Sequence, residues 1–253
     1  TGTTEMKTIV NNDFRSLGDF IKSLPETFES GGTTLYKARN TVKKFTCDGI
    51  DLIVKRYKRP NAVQQVVYTL FRPSKAARAY SYANILLDRG YATPTPIAYI
   101  EIKKGGLINE CYFISTVTTD TPLYDALVET PDFDRELAAK LAQYVAQMHI
   151  DGVMHGDPNL NNILYHREAD GTIRFTLIDT NRSTFKSNLS KSSCISNLVR
   201  LTHRRDLLEY LISRYAEYRK WDVDDTVRRV IEGLDNFEHR REVKYRLKQK
   251  YLK

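Results

Sequence analysis

One stretch of the sequence decides the fold: HGDPNLNN at residues 155–162, followed by FTLID at residues 175–179. The octapeptide has the pattern H-G-D-x-x-x-x-N, and the apolar run Ile163-Leu164-Tyr165 comes directly after it. A glycine turn at Asp170-Gly171 then leads to a second apolar run, which ends in Asp179. Each fragment alone is ordinary, because Asp-Pro-Asn is a common turn and an aspartate often caps a helix. Together they predict two short strands with two carboxylates and an amide on adjoining loops.

These side chains suit phosphoryl transfer from a metal-bound nucleotide, a reaction that depends on positioning and on neutralised phosphate charge. Asp157 would accept the proton of the attacking hydroxyl. Asn162 would reach back to Mg²⁺, and Asp179 would bridge the metal to the phosphates. Mg²⁺ prefers oxygen ligands and takes few of them from protein. We therefore predict Asp157, Asn162 and Asp179 as catalytic residues, with the last two as metal ligands.

The first third of the chain predicts strands with one helix. Gly31-Gly32 marks a tight turn that would offer main-chain N–H groups to the phosphates, and Asp48-Gly49 predicts a hairpin into the strand 51–57. In that strand Lys55 shares a face with apolar neighbours, so it is a candidate clamp for the α- and β-phosphates. The alternative is a surface lysine on an edge strand.

A helix is predicted over residues 74–87, with Gly90 as its stop. A rigid Thr-Pro-Thr-Pro link at 93–96 then precedes a hairpin formed by residues 97–102 and 111–117. We place a domain boundary after this hairpin, which gives a nucleotide-binding lobe at 1–117 and a catalytic and substrate lobe at 118–253. An adenine base would meet main-chain groups near Ser115 and Val117.

Beyond the boundary the periodicity predicts mainly helices. One begins at Thr130-Pro131-Asp132 with proline in its first turn, a second covers residues 198–218, and a third is capped by residues 222–225. The last 16 residues, 238–253, carry seven Lys/Arg against two Glu, whereas the whole chain has a net charge of +8. Val243, Leu247 and Tyr251 recur every four residues there, which predicts a basic amphipathic helix. This helix either lies on the body of the protein or is attracted to an anionic surface.

Composition is that of a soluble globular protein, with 41% hydrophobic and 28% charged residues and no run of about 20 apolar residues. Three widely spaced cysteines suggest a reducing compartment and no metal site. Residues 1–5 are expected to be a cloning remnant or an unstructured start, and no cleavable signal follows at Met6. We expect a cytoplasmic protein with no nucleic-acid partner.

Several of these motifs together resemble the lipopolysaccharide core kinases of Gram-negative bacteria, which phosphorylate heptose or 3-deoxy-manno-octulosonic acid (Kdo). The resemblance rests on Lys55, the Thr-Pro-Thr-Pro link, the loop from His155 to Asn162 and the run Ile178-Asp179-Thr180-Asn181-Arg182. The loop is shared with all protein-kinase-like folds, whereas the link and the I-D-x-N-R run are more specific.

The resemblance implies an α+β, bilobal protein-kinase-like fold, with an antiparallel sheet and one helix in the N-terminal lobe and a mainly helical C-terminal lobe. It implies ATP and Mg²⁺ as cofactors and lipid A-linked core oligosaccharide as substrate, at the inner face of the inner membrane. The basic C-terminal helix would then make peripheral contact with anionic lipid. His155 would brace the loop, and Arg182 would contact substrate anions, pair with Asp157, or form a structural salt bridge.

Three departures from protein kinases are visible. The helix at 74–87 has no acidic residue to pair with Lys55, the Gly31-Gly32 turn lacks a G-x-G-x-x-G pattern, and Thr180-Asn181 replaces Phe-Gly after the metal aspartate. An activation-loop switch is therefore not expected.

Other functions stay open. A small atypical Ser/Thr protein kinase and an aminoglycoside-type phosphotransferase share the loop. A catalytically inactive kinase-like binding module is the alternative of another class. The sequence leaves the oligomeric state undetermined.

Overall fold

The structure, a computed structural model, describes residues 3–251, without the side chains of residues 248, 250 and 251. It divides into two compact units. The first comprises the residues up to Thr119 together with Asp179–Arg182, and the second comprises Asp120–Ile178 and the residues from Ser183 onward. The first unit ends close to the predicted boundary after Val117. The functions assigned to the two parts remain predictions.

The first unit is built on one antiparallel sheet of six strands in the order β1-β5-β6-β4-β3-β2. The strands are β1 (Thr4–Val10), β2 (Thr33–Lys37), β3 (Thr41–Cys47), β4 (Ile50–Arg56), β5 (Pro96–Lys104) and β6 (Leu107–Thr116). Its helices are α1 (Gly18–Thr27), α2 (Ala62–Leu70) and α3 (Lys75–Asp88).

Hairpin turns set the register of this sheet. Asp48 and Gly49 both have positive φ, 51° and 75°, and join β3 to β4 as a two-residue turn suited to the twist of the strands. Gly105 and Gly106 do the same between β5 and β6. Both hairpins are confirmed where the sequence predicts them.

Helices pack against both faces of the sheet. On one face, α1 buries Ile21 and Leu24 against Leu52 and Val54 of β4. On the other, the alanines of α3 pack around Tyr57. Because side chains alternate along a strand, Lys55 lies on the same face as Tyr57, towards α3.

Two predictions for this unit are wrong. Its described residues form three α-helices and a 3₁₀ helix (Asn12–Leu17), and not one helix, because only α3 was predicted. Thr4 and Glu5 belong to β1, where they pair with Lys104 and Lys103, so the start of the chain is ordered from this point. Thr1 and Gly2 lie outside the described residues.

The second unit is mainly helical. Its helices are α4 (Leu123–Leu127), α5 (Arg135–Ile150), α6 (Lys191–Leu198), α7 (Arg205–Arg219) and α8 (Val223–Tyr251). Its short strands are β7 (Thr121–Pro122), β8 (Val153–Met154), β9 (Ile163–Arg167), β10 (Ile173–Leu177) and β11 (Thr184–Phe185). Strands β10, β9 and β7 form one small sheet, and β11 pairs with β8. The loop 155–162 therefore runs between β8 and β9, of which only β9 was predicted.

Arg204 explains two incorrect helix boundaries. Its guanidinium donates to the main-chain oxygens of Leu127 and Pro131, among others, so this segment is held outside a helix. Helix α5 begins only at Arg135, after the N-cap Asp134, and not at Thr130–Asp132. The predicted helix over 198–218 is helical only from Arg205 onward, in α7, apart from Leu198, which ends α6. In the turn between α6 and α7, Thr202 Oγ1 accepts from the N–H of Arg204.

Helix α8 begins with the predicted cap, where Asp222 Oδ1 accepts from the N–H of Asp225 at 2.7 Å. It continues without a break to Tyr251, and the side chains of Val243, Tyr245 and Leu247 are exposed. The predicted apolar position Tyr251 has its side chain outside the described part. No helix in the described residues combines the length and apolar character that crossing a membrane requires.

Candidate active site

The loop between β8 and β9 is fixed by the buried ring of His155. Its Nδ1 accepts from the N–H of Asp157 at 3.0 Å, and its Nε2 donates to the main-chain oxygen of Ile178 at 2.9 Å. The ring must be neutral with its proton on Nε2, since Nδ1 acts as an acceptor. His155 therefore braces the loop, as predicted, and ties it to the end of β10.

The carboxylate of Asp157 is oriented by two donors on one of its oxygens. Oδ1 accepts from Asn159 Nδ2 at 3.2 Å and from Arg200 Nη2 at 3.3 Å. Among the described residues, Oδ2 has no hydrogen-bond partner. The residue that pairs with Asp157 is thus Arg200, in the turn after α6, and not Arg182.

Asn162 closes the loop. Its Nδ2 donates to the main-chain oxygen of Asp157 at 2.9 Å, and its own main-chain oxygen accepts from the N–H of Ile178 at 3.0 Å. Because the amide nitrogen is used as a donor, Oδ1 is left as an acceptor. That oxygen has no partner in the described part of the chain, which fits a hard cation such as Mg²⁺.

Asp179 follows Ile178 and has a positive φ of 57°, a strained conformation for a residue other than glycine. Its Oδ1 lies 2.7 Å from Lys55 Nζ. The lysine ammonium also lies 5.2 Å from the centre of the buried Tyr57 ring. Burial, with a smaller contribution from the charge of Asp179, raises the pKa of Tyr57 well above its usual value. Lys55 thus has a carboxylate partner in place of the acid that α3 lacks.

A buried polar chain supports the loop from behind. Asn197 of α6 donates through Nδ2 to the main-chain oxygen of His155 at 2.7 Å, and its Oδ1 accepts from His149 Nε2 at 3.1 Å. His149 Nδ1 then accepts from the hydroxyl of Tyr215 at 2.8 Å. Burial lowers the pKa of His149 to about 4, so the imidazole is neutral near pH 7. Helices α5, α6 and α7 therefore hold the main chain two residues before Asp157.

The Gly31-Gly32 turn lies before β2 and is packed against an aromatic ring. Gly32 has a φ of 66°, and a Cβ there would come within 2.7 Å of Phe45. The N–H of Gly31 already donates to Thr27 O at 2.8 Å, and Lys43 Nζ binds the oxygen of Gly31 at 2.9 Å. The structure thus gives this turn a structural role, and its contact with phosphates remains a prediction.

The remaining predicted residues lie in the first unit. Ser115 is buried near the end of β6, and Val117 directly follows this strand. Arg182 is exposed, three residues after Asp179. Its charge and that of Arg39 add to burial in lowering the pKa of Lys75, so several cations lie close together there.

Three contributors were missed by sequence reasoning: His149, Asn197 and Arg200. No local motif marks Asn197 or Arg200. His149 ends an apolar-periodic helix six residues before His155, and this was the one available signal.

Two of three comparisons with known proteins find matches for this chain. The family model described as "Lipopolysaccharide kinase (Kdo/WaaP) family" matches residues 33–224, a range that includes Lys55, Asp157, Asn162 and Asp179. A sequence search of curated proteins gives no match.

Among solved structures, WaaP in complex with acyl carrier protein is similar with a TM-score of 0.61 and 17% identity, covering 93% of this chain and 98% of that one. The Rio2 kinase–ADP/Mg²⁺–phosphoaspartate complex from Chaetomium thermophilum is similar with a TM-score of 0.50 and 13% identity, covering 93% and 78%. These likenesses confirm the protein-kinase-like α+β fold.

Proposed function

Because the chain belongs to the lipopolysaccharide kinase (Kdo/WaaP) family, we propose that it transfers the γ-phosphate of ATP to a sugar hydroxyl of the lipopolysaccharide inner core. Membership makes the protein a kinase, a phosphotransferase with a hydroxyl acceptor. ATP as donor, Mg²⁺ as cofactor and Kdo or heptose as acceptor are the specific parts of the proposal. The observation that carries it is that the matched range contains the whole braced loop and Asp179.

Asp157 is the proposed base. Its Oδ1 is held by Asn159 and Arg200, so Oδ2 is available for the acceptor hydroxyl. Bracing by His155 and Asn162 keeps the loop fixed, and positioning of this kind supplies much of the catalysis in phosphoryl transfer.

Asn162 and Asp179 are the proposed metal ligands. Asn162 offers an unused amide oxygen, and Asp179 offers a carboxylate whose second oxygen does not bind Lys55. Both are oxygen donors of the kind that Mg²⁺ selects. When bound, the metal would neutralise charge on the transferred phosphoryl group.

Lys55 is the proposed phosphate clamp. Its ammonium pairs with the carboxylate of Asp179 and would bind a phosphate of ATP in place of that carboxylate. Cations at Arg39, Lys75 and Arg182 make this part of the first unit attractive to phosphates. Gly31, Gly32, Ser115 and Val117 are proposed to contact the nucleotide, and Arg182 to contact substrate anions.

We also propose that the enzyme works at the cytoplasmic face of the inner membrane, because its acceptor is anchored there by lipid A. The basic residues of α8 are the proposed contact with anionic lipid predicted from the sequence. Of these, Arg246 is already paired with Glu242, whereas no ion pair in the described residues involves Arg240 or Arg241.

The proposal is tested by offering radiolabelled ATP and Mg²⁺ with four acceptors: core lipid ending in Kdo, core lipid with heptose, an aminoglycoside and a generic protein. We expect label on core lipid alone, and comparison of the two lipids identifies the sugar. Label on the aminoglycoside or the protein would favour the corresponding alternative. If no acceptor is labelled, a thermal-shift titration with Mg²⁺-ATP shows whether the folded protein binds nucleotide, since a ligand of the folded state raises its stability. A protein without this shift would fit the catalytically inactive binding module.

A further inference from the structure

Helix α2 exposes its apolar side to solvent. Its large apolar side chains recur at i, i+3, i+4, i+7 and i+8, and form one stripe: Val63, Val66, Val67, Leu70 and, directly after the helix, Phe71. Phe71 is 79% exposed and Leu70 67% exposed. In an ordinary surface helix this stripe would face the core. Here the orientation is reversed.

The opposite side of α2 is polar and is anchored to the sheet. Thr69 Oγ1 accepts from the N–H of Ile108 in β6 at 3.0 Å and donates to Gln65 O at 2.6 Å. Asn61 and Gln64 form a capping box that fixes the start of the helix. The apolar stripe is therefore presented by a well-anchored element of the fold.

Along the chain on either side of α2 the charge is of one sign. From Lys58 to Leu87 the sequence contains no Asp or Glu, and its five cations are Lys58, Arg59, Arg72, Lys75 and Arg78. Arg72 comes directly after the stripe and is exposed, whereas Arg59 is paired with Glu110 and Arg78 is buried. An apolar face flanked by cations complements an anionic, apolar boundary.

The chemistry of the stripe indicates what covers it. Its side chains are Val, Leu and Phe, which form no hydrogen bonds. Because protein interfaces carry about one hydrogen bond per 100–200 Å², this stripe suits lipid acyl chains better than a protein partner. The polar side chains of α2 are used in the cap and against β6. We propose that α2 is a membrane-docking helix, which inserts this stripe among the lipid acyl chains while the exposed Lys58 and Arg72, before and after the helix, meet anionic headgroups. This stripe is separate from the basic segment of α8. Membrane binding through the stripe does not depend on phosphoryl transfer, so it is measured independently of kinase activity.

Vesicle sedimentation tests the proposal without any activity measurement. Wild type is expected to bind vesicles with about 30% anionic lipid and to bind neutral vesicles far less. The double variant Leu70→Ser/Phe71→Ser should lower the partition coefficient at least about tenfold. A matched control is Leu35→Ser/Tyr36→Ser on β2, whose side chains are 55% and 58% exposed and which should bind like wild type.

A second measurement detects insertion itself. The only tryptophan is Trp221, which packs against Tyr215 in the second unit, so wild type supplies the background. In Phe71→Trp, lipids brominated on their acyl chains should quench the added fluorescence when anionic vesicles are present.

Each other outcome overturns the proposal. Absence of wild-type binding to anionic vesicles, or absence of extra quenching in Phe71→Trp, excludes insertion of α2. If Arg240→Glu/Arg241→Glu abolishes vesicle binding while Leu70→Ser/Phe71→Ser does not, the membrane contact belongs to α8. If Leu70→Ser/Phe71→Ser keeps its vesicle binding but loses binding to a soluble acidic protein, the stripe is a protein interface.

Discussion

Replacing His149 by glutamine should remove most of a pH dependence that the structure builds into the second unit. The wild-type imidazole is buried, which lowers its pKa from 6.5 to about 4, and the nearby charge of Arg219 contributes. In the unfolded chain the same group titrates near its ordinary value. Between these two values the unfolded state binds a proton that the folded state excludes. Stability contributed by the neutral ring is therefore complete above about pH 6.5 and is lost as the pH falls towards 4.

The size of the effect follows from the depression of about 2.5 in pKa. Each unit corresponds to about 1.4 kcal/mol, so wild type should lose about 3 kcal/mol of unfolding free energy through this residue. Glutamine keeps one donor and one acceptor for Asn197 and Tyr215 but does not titrate. Carboxylates elsewhere titrate equally in both proteins, so their contribution cancels in the difference.

Urea unfolding measures this difference, followed by the fluorescence of Trp221, whose ring centre is 5.6 Å from that of Tyr215. From pH 7.5 to pH 4, wild type should fall by about 3 kcal/mol relative to His149→Gln, with the change confined to the region below about pH 6.5. Parallel stability curves for the two proteins would refute the assignment of His149 as a buried neutral link.

Three further perturbations test the second unit and the metal ligands. Gly152→Ala should lower the free energy of unfolding in urea by about 1–3 kcal/mol more than Gly171→Ala. Both glycines have positive φ, but only at Gly152 would the added Cβ overlap a main-chain oxygen, that of Lys186 at 1.7 Å. Equal losses of stability in the two variants would contradict this. Asn197→Ala should cost about 1–3 kcal/mol for each buried group it leaves unpaired and should lower kcat; unchanged stability would remove its bracing role. Asp179→Ala should weaken Mg²⁺-ATP binding at least about tenfold in a thermal-shift titration; unchanged binding would exclude it as a ligand.

Local signals sufficed for the two hairpins of the sheet, whereas the edge strand β1 was missed. The turn at Asp48-Gly49 needs two residues with positive φ, and Asp-Gly is a pair that tolerates this conformation. Such preferences act within a few residues, so the strands on either side could be placed from the sequence. Helix α1 shows how a local signal is hidden, because Pro25 lies inside it although Ile21 and Leu24 have helical spacing. For α2 the Asn61-x-x-Gln64 capping box was present, but the β-branched valines obscured it.

Helix boundaries in the second unit depend on contacts that are distant in sequence. Thr130–Asp132 has the composition of a helix start, yet its main chain is bound by Arg204, more than 70 residues later. Asp134 caps the helix instead. Periodicity cannot choose between two candidate caps when a remote side chain decides.

The candidate site divides in the same way. The motif predicts Asp157, Asn162 and Asp179 as candidates, since their spacing lies within one loop and one strand end. The groups that orient them come from elsewhere: Lys55 approaches Asp179 across 124 positions, and Arg200 approaches Asp157 across 43. Only the folded chain reveals these pairings.

The most direct test of the central claim is transfer of radiolabelled phosphate from Mg²⁺-ATP to purified lipopolysaccharide core by wild type and by Asp157→Ala. Removing a positioned base should lower the transfer rate by about 10²–10⁴-fold, while nucleotide binding in a thermal-shift titration stays close to that of wild type. Equal labelling by the two proteins would contradict the role of Asp157. No labelling of core lipid by a folded, nucleotide-binding wild type would contradict the proposed acceptor.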